Sequence, residues 1–254
     1  MPVSPSDDLR NYVLRVGDNA LILGQQVSMW CGHAPALEED IAFANVSLDL
    51  IGQATNWLNY AAELEGQSRT ADDLAFLRSD REFKNVLLTE QPNHDFGHSL
   101  MRQYLFDAFH YYQLTSLCDS SDKSIAAIAQ KSVKEVAYHL ERSSDLIIRL
   151  GDGSDESHAI MQKALNKLWR FTGELTTADD LDNAMFEEGV GADYQAIAKG
   201  FDGHTARILE LALLRVPQPV FMASGGKIGV HSEALGPLLA EMQHLQRAHP
   251  GANW

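Results

Sequence analysis

Long segments with the apolar period of an α-helix are the feature that most constrains the fold of this chain. In the first segment, apolar residues recur every three or four positions: Leu9, Val13, Val16, Ala20, Leu23 and Val27. The sequence contains no run of alternating β-branched residues and no Asn-Gly hairpin turn. A chain patterned in this way is expected to bury its apolar stripes by packing helix against helix.

Breaks in this pattern predict where the helices begin and end. The predicted helices span about residues 7–29, 36–65, 95–118, 124–150, 155–175, 193–214 and 232–247, with smaller helical pieces between residues 72 and 91. Pro35 and Gly66 flank the second helix, as is typical of a helix start and a helix end. Several long helices with short connections predict an all-α, up-and-down bundle with additional helices.

The composition predicts an ordinary globular protein that is strongly acidic. Residues 1–254 contain no convincing linker, internal repeat or low-complexity tract, which predicts a single domain. The chain has 20 basic and 35 acidic residues and a net charge of −15. This charge argues against nucleic acid or an anionic membrane as the main partner. The acidic charge could serve simple solubility or the binding of a basic protein partner.

Nothing in the sequence predicts export or membrane insertion. The N-terminal residues lack the charged and then apolar run of a signal peptide, and no apolar stretch reaches about 18 residues. We therefore expect a cytoplasmic protein. Cys31 and Cys118 are far apart, which indicates neither a disulfide framework nor a zinc site, and both are predicted to be small buried side chains.

Two predicted helices carry carboxylate and histidine pairs that resemble fragments of a di-iron site. In carboxylate-bridged di-iron bundles, two helices supply a Glu each and two supply Glu-x-x-His, and oxygen and imidazole ligands suit iron. Here Glu135 lies four residues before His139, and Val136 occupies the position three residues before that histidine. Asp107 and His110 have the required spacing, but aspartate is a shorter arm than glutamate.

Both fragments also have an interpretation without metal. Glu135 and His139 fit a ladder of pairs four residues apart, together with Lys131, on the surface of a helix. Asp107 and His110 fit a buried hydrogen-bond network, because buried polar groups generally find partners.

Two further patterns are weaker. A polar stripe follows the second predicted helix: Asn45, Asp49, Gln53 and Asn56. Its one carboxylate, Asp49, is followed three residues later by Gly52 rather than by a histidine, so hydrogen bonding between helices explains the stripe equally well. Glu241 and His244 have the correct spacing, but the chain lacks a second such pair, which favours a chance match.

Motifs for other chemistries are absent or incomplete. No nucleophile motif involves Ser, Cys or His, and the GGKIG run at residues 225–229 lacks the spacing of a phosphate-binding loop. Lys227 and His231 in this Gly-rich and Pro-rich loop could contact a phosphate or a partner; a plain turn is the alternative. The residues alone therefore indicate a bundle of the di-iron type with an incomplete metal site.

Four stretches of the sequence resemble a known family. They are LRVGDNALILGQ (residues 14–25), WCGHAPALEEDIAFANVSLDLIGQA (30–54), NKLWRFTGEL (166–175) and GGKIGVHSEALGPLLAEMQHLQR (225–247). As a set they resemble the structural, or C, subunits of bacterial ring-1,2-phenylacetyl-CoA epoxidases. The resemblance implies a ferritin-like fold. It also implies a complex that uses NADPH and O2 to epoxidise the ring of phenylacetyl-CoA in phenylacetate catabolism.

The resemblance further implies a division of roles within the complex. A homologous catalytic subunit (A) would hold the di-iron centre, and a reductase with flavin and iron–sulfur groups would use NADPH. This chain would be a scaffold without a cofactor of its own. The matching helix of the catalytic subunits reads Lys-Glu-Glu-x-x-His, and here Val136 replaces the ligand glutamate. No catalytic or metal-binding residue is carried over; the following are interpreted as degenerate remnants: Asp49, Asp107, Glu135 and His139.

Two alternatives to the scaffold stay open on the sequence. The first is a di-iron oxidase that uses the four remnant residues as ligands. The second is a homodimeric helical binding protein without an oxygenase partner.

Overall fold

The computed structural model of the protein describes residues 5–218 and 221–252. All regular secondary structure in these residues is helical, which confirms the predicted all-α class. The described chain forms two compact units. The terminal unit contains the residues up to Pro92 and from Gly225 onward, and the central unit contains Asn93–Ser224. The single domain predicted for residues 1–254 stays a prediction.

The helix boundaries follow the sequence pattern closely for the long helices. In chain order the helices are α1 (Pro5–Ser28), α2 (Leu37–Glu65), α3 (Ala71–Phe76), α4 (Phe96–Leu117), α5 (Lys123–Gly151), α6 (Asp155–Leu168), α7 (Gly173–Thr176), α8 (Asp180–Glu187), α9 (Tyr194–Leu211), α10 (Leu235–Met242) and α11 (His244–Ala248). Short 3-10 turns span Asp80–Glu82, Trp169–Phe171 and Gly226–Ile228.

The terminal unit is built on the antiparallel pair α1 and α2. Arg10 near the start of α1 pairs with Glu65 at the end of α2, with 3.3 Å between Nη1 and Oε1. Helix α2 ends at Gly66, which has a φ of 65° in the left-handed region. Because glycine adopts this conformation without steric cost, the sequence signal at Gly66 located the helix end correctly.

Two predicted helices are wrong in extent. The helix predicted at 155–175 ends at Leu168 and continues as a 3-10 turn and α7. The helix predicted at 232–247 is divided into α10 and α11 at Gln243. The buried amide of Gln243 donates to the carbonyl oxygens of Ala75 at 3.1 Å and Arg78 at 3.0 Å. These bonds to residues distant in the sequence stabilise the break between α10 and α11. No local sequence pattern predicts them.

Helix α4 is the core helix of the central unit. It packs against α5, α6 and α9, and its residues 97–110 are all buried. A helix that is buried all round normally carries apolar residues on every side. Here the buried set includes these polar side chains: His98, Ser99, Arg102, Gln103, Asp107 and His110. These groups need partners inside the protein, and they define the candidate site.

The two cysteines depart from their predicted environments. Cys31 is exposed and Cys118 is half-buried, so the predicted burial is wrong for Cys31. The reason is that α1 ends at Ser28, and Cys31 lies in the turn that follows. The prediction that no segment spans a membrane agrees with the described helices, none of which combines the necessary length and hydropathy.

Candidate functional site

Asp107 of α4 is the centre of a buried polar cluster in the central unit. Its Oδ1 accepts a hydrogen bond from Gln103 Nε2 at 2.5 Å, and its Oδ2 accepts one from Ser143 Oγ of α5 at 2.9 Å. Asp107 is 1% exposed. Burial raises the pKa of Asp107 to about 6, although His139 and the bonds from Ser143 and Gln103 oppose this rise. The buried hydrogen-bond network predicted for Asp107 is therefore confirmed.

Two histidines complete the cluster. His110 is buried, and its Nδ1 lies 3.3 Å from Gln113 Oε1. Burial lowers the pKa of His110 to about 4; the hydrogen bond with Gln113 raises this pKa and the neighbouring His139 lowers it. These values make a neutral His110 beside a partly protonated Asp107 the expected state near pH 6.

His139 corrects one interpretation of the sequence. It is 2% exposed, whereas Lys131 is exposed, so a surface ladder that includes His139 is wrong. The physical reason is the face of α5 on which His139 lies. Val136 and Ser143 share that face and are also buried, so the face belongs to the core.

The remnant residues are found in different environments. Asp107 and His139 both lie in the buried cluster, whereas Glu135 is half-buried on α5. Asp49 is half-buried on α2 and belongs to the terminal unit. Within residues 5–218 and 221–252, no three His, Cys, Asp or Glu side chains are placed together as ligands for a metal ion.

Gln103 and Ser143 are members of the cluster that sequence reasoning missed. Both could have been found from helical spacing, because Gln103 lies four residues before Asp107 and Ser143 lies four residues after His139. A search restricted to metal ligands ignores amides and hydroxyls, which here provide the hydrogen bonds to the carboxylate.

The Gly-rich loop belongs to a second buried network, in the terminal unit. His231 Nδ1 lies 2.7 Å from Glu90 Oε2, and its Nε2 lies 2.9 Å from the carbonyl oxygen of Phe83. Burial lowers the pKa of His231, but the bonds to Glu90 and Phe83 outweigh it, and the net shift is upward. Lys227 is buried too. The structure thus agrees with the plain turn and not with the other interpretation that the sequence left open, contact of these two side chains with an outside group.

The remaining candidate pair lies at the surface. Glu241 is the last but one residue of α10, His244 is the first residue of α11, and both are exposed. Their exposure agrees with the interpretation of the spacing as a chance match, which stays a prediction.

The raised pKa of Asp107 predicts a pH-dependent effect of the substitution Asp107→Asn. Because the folded pKa of about 6 exceeds the ordinary value of 3.8, the native state holds this proton more tightly than the unfolded state. The wild type therefore loses about 2–3 kcal/mol of stability as pH rises from about 4 to above 6. Asparagine does not ionise and can keep both contacts: its Oδ1 accepts from Gln103, and its Nδ2 donates to the Ser143 hydroxyl oxygen, which reverses that bond.

We expect the Asn variant to match the wild type at pH 4 and to be more stable at pH 8. Urea unfolding at both pH values measures this. Other titrating groups are common to both proteins and cancel in the comparison. An identical stability difference at the two pH values would contradict the assignment.

Comparison with known proteins agrees with the helical architecture. The family described as "Phenylacetic acid catabolic protein" matches residues 1–254. The chain belongs to the phenylacetic acid catabolic protein family. Within this family it is similar to the C subunit of the 1,2-phenylacetyl-CoA epoxidase of Escherichia coli (strain K12). The two are 49% identical over 248 residues, which cover 98% of this chain and 100% of the relative.

Membership of the phenylacetic acid catabolic protein family confirms the resemblance inferred from the four sequence stretches. It also confirms the ferritin-like helical fold that the resemblance implied. The relative carries the name of a subunit, so its epoxidase has more than one kind of chain.

Proposed function

We propose that this chain is a non-catalytic structural subunit of a 1,2-phenylacetyl-CoA epoxidase, which supports a homologous di-iron catalytic subunit in aerobic phenylacetate catabolism. The observation that carries the proposal is Val136. This side chain is fully buried on α5, three residues before His139, at the position where a Glu-x-x-His pair needs its carboxylate. An isopropyl group offers no donor atom to a metal ion.

The chemistry of the surrounding residues supports the same conclusion. A dinuclear iron site needs several carboxylates to neutralise and bridge the two ions. In the buried cluster Asp107 is the carboxylate, and it already accepts bonds from Gln103 and Ser143. The residues that the structure describes therefore do not fit a dinuclear iron site. We place the di-iron centre in the catalytic subunit, and NADPH with flavin and iron–sulfur groups in the reductase. A cytoplasmic location fits this pathway.

An exposed apolar face on α2 supports a role in assembly. Four large apolar side chains at helical spacing are 72, 53, 67 and 37% exposed: Leu37, Ile41, Leu48 and Ile51. Single exposed apolar residues are common, but a set on one helix face is typical of a protein contact. We assign this α2 face to the homologous catalytic subunit, because the relative is itself one subunit of an epoxidase.

The assignment of the α2 face predicts a strong effect of a buried charge. Leu48→Asp would place an unpaired carboxylate in the contact, and about 2 kcal/mol or more of binding energy, roughly 30-fold in affinity, should be lost. The matched control is Leu245→Asp on α11, which is 51% exposed and lies off the α2 face. Its affinity should equal that of the wild type.

Association is measured by sedimentation of each variant with the purified catalytic subunit. Equal affinities of both variants would refute the assigned face. Sedimentation of the chain alone tests the homodimer: a stable dimer that Leu48→Asp dissociates would assign the face to a second copy and contradict our choice.

The non-catalytic role predicts that Asp107→Asn leaves epoxidation unchanged. The assay measures NADPH-dependent turnover of phenylacetyl-CoA by the assembled complex, with iron analysis of each subunit. If Asp107 has only a structural role, the variant complex should show full turnover. The iron should be found in the catalytic subunit. Loss of turnover in a complex that still assembles, or about two tightly bound iron ions in the isolated chain, would overturn the proposal in favour of an active di-iron oxidase.

A further inference from the structure

A second polar cluster of the central unit lies at the start of α4. The charged groups that shift the pKa of its buried histidine, His98, are basic: Arg102, His94 and Lys167. His94 lies in the segment before α4, His98 and Arg102 lie on α4, and Lys167 lies on α6. Lys167 Nζ is 2.5 Å from His94 Nε2, and the rings of His94 and His98 meet edge to face with 4.7 Å between centroids. This concentration of basic groups contrasts with a net charge of −15 for the whole chain.

His98 is the member that most needs a ligand. It is 3% exposed, and its Nε2 has no hydrogen-bond partner among the described residues. Burial lowers the pKa of His98 to about 3, and the basic neighbours Arg102, His94 and Lys167 lower it further. The ring is therefore neutral and can present one N–H as a donor. An unsatisfied buried polar nitrogen is destabilising, and a ligand acceptor would remove this cost.

The nearby carboxylate is already committed. Asp95 caps α4, where its Oδ1 accepts a hydrogen bond from the backbone N–H of His98 at 2.7 Å. The charge of Asp95 raises the pKa of His94, but burial and the adjacent Lys167 dominate, and the net shift is downward. The local field thus disfavours additional positive charge, as expected where an anion is the natural occupant.

The cluster is layered from the surface to the interior. His94 and Lys167 are exposed, whereas His98 and Arg102 are buried. Arg102 is held by a bond from its Nη2 to Asn93 Oδ1 at 2.7 Å, and burial lowers its pKa to about 9. An incoming anion would meet the flexible Lys167 first and fixed donors beneath it, which is an arrangement suited to a compact oxyanion.

We propose that His94, His98, Arg102 and Lys167 form a binding site for a phosphate-type oxyanion. A tetrahedral oxyanion offers several acceptor oxygens to donors that come from different directions. Binding transfers the Lys167 ammonium from the His94 ring to the anion and leaves His94 able to take up a proton. The same chemistry is presented by free inorganic phosphate and by the phosphate groups of coenzyme A.

The test is calorimetric titration of the full chain with inorganic phosphate at constant ionic strength. We expect saturable binding at a single site. Lys167→Gln and His94→Gln alter exposed residues that the fold tolerates, and each should weaken binding about tenfold through loss of a charge-assisted bond. The matched control is Lys199→Gln, an exposed lysine of α9, which should bind as the wild type does.

Two further measurements make the result specific. The resonances of His94 should shift to a higher pKa in phosphate, and the affinity should rise as pH falls from 8 to 6 because the bound state takes up a proton. Titration with coenzyme A and with its 3′-dephospho form identifies the source. Tighter binding of coenzyme A than of phosphate, weakened without the 3′-phosphate, assigns the site to the cofactor tail, and binding of phosphate alone assigns it to the free ion.

Absence of saturable phosphate binding, or equal affinities for the wild type, Lys167→Gln and His94→Gln, would overturn the proposal. This test uses the isolated chain and no catalytic readout, so its outcome is independent of the structural role proposed above.

Discussion

Replacement of Asp18 by alanine should lower the free energy of unfolding by about 3–5 kcal/mol, because it leaves a buried guanidinium without its counter-charge. Asp18 and Arg78 are both buried in the terminal unit. Arg78 Nη1 donates to Asp18 Oδ2 at 3.0 Å, and Nη2 donates to Oδ1. The backbone N–H of Lys84 adds a bond to Oδ2 at 2.8 Å. In the variant Arg78 Nη2 and the Lys84 N–H lose their bonds to this carboxylate, while Arg78 Nη1 keeps only its bond to the carbonyl oxygen of Glu82 at 3.1 Å.

Urea unfolding with a matched control measures this loss. Asp7 is paired with Arg10 at 3.9 Å near the surface, so Asp7→Ala should cost less than about 1 kcal/mol. The double substitution Asp18→Leu with Arg78→Met removes both buried charges and should recover much of the stability. A loss below about 1 kcal/mol for Asp18→Ala would show that the pair contributes no more than a surface pair.

Glu90→Ala is the second substitution with a large expected effect, again a loss of about 3–5 kcal/mol. Glu90 is completely buried. Its Oε2 accepts a bond from Asn85 Nδ2 at 3.0 Å and pairs with His231 Nδ1 at 2.7 Å. Its Oε1 accepts the backbone N–H of Ser232 at 2.7 Å. The carboxylate thus joins the Gly-rich loop to the segment that precedes α4. Alanine removes the bonds to both segments.

The pH dependence separates this ion pair from ordinary packing. The pKa of His231 is raised in the folded state above its usual 6.5. Its pairing with Glu90 therefore stabilises the protein fully below pH 6.5, and the contribution is lost as pH rises through the raised value. The stability difference between wild type and variant should shrink over that range.

Chemical unfolding at a series of pH values provides the measurement, with Glu233→Ala, an exposed neighbour in the sequence, as the control. A pH-independent difference would mean that His231 is not charged in the native state.

The long helices were predictable because each depends on local information. The bounds predicted for α2 differ from the observed ones by a single residue, since apolar period, Pro35 and Gly66 all act within a few positions. A buried network at Asp107 and His110 was also predicted, because these two residues are three positions apart on one helix face; the bond from Ser143 of α5 was not, because it joins two helices. The interpretation of Val136, three residues before His139, as the replacement of a ligand glutamate stays a prediction.

The features that the sequence did not predict depend on contacts between distant parts of the chain. The division of the last helix at Gln243 depends on the carbonyl oxygens of residues more than 160 positions earlier in the chain. The sequence left open whether His231 contacts an outside group or lies in a plain turn, because its partners Glu90 and Phe83 lie 141 and 148 positions away. No periodicity links such positions.

By itself, then, the sequence determined the helical class, the long helices and the family, since these follow from spacing within one helix and from matching stretches. The tertiary structure alone decided which polar groups are buried together: Asp18 with Arg78, Glu90 with His231, and the basic cluster around His98. The physical reason is that charge pairing and burial are set by distances in space, which distant positions along a chain acquire only when it folds.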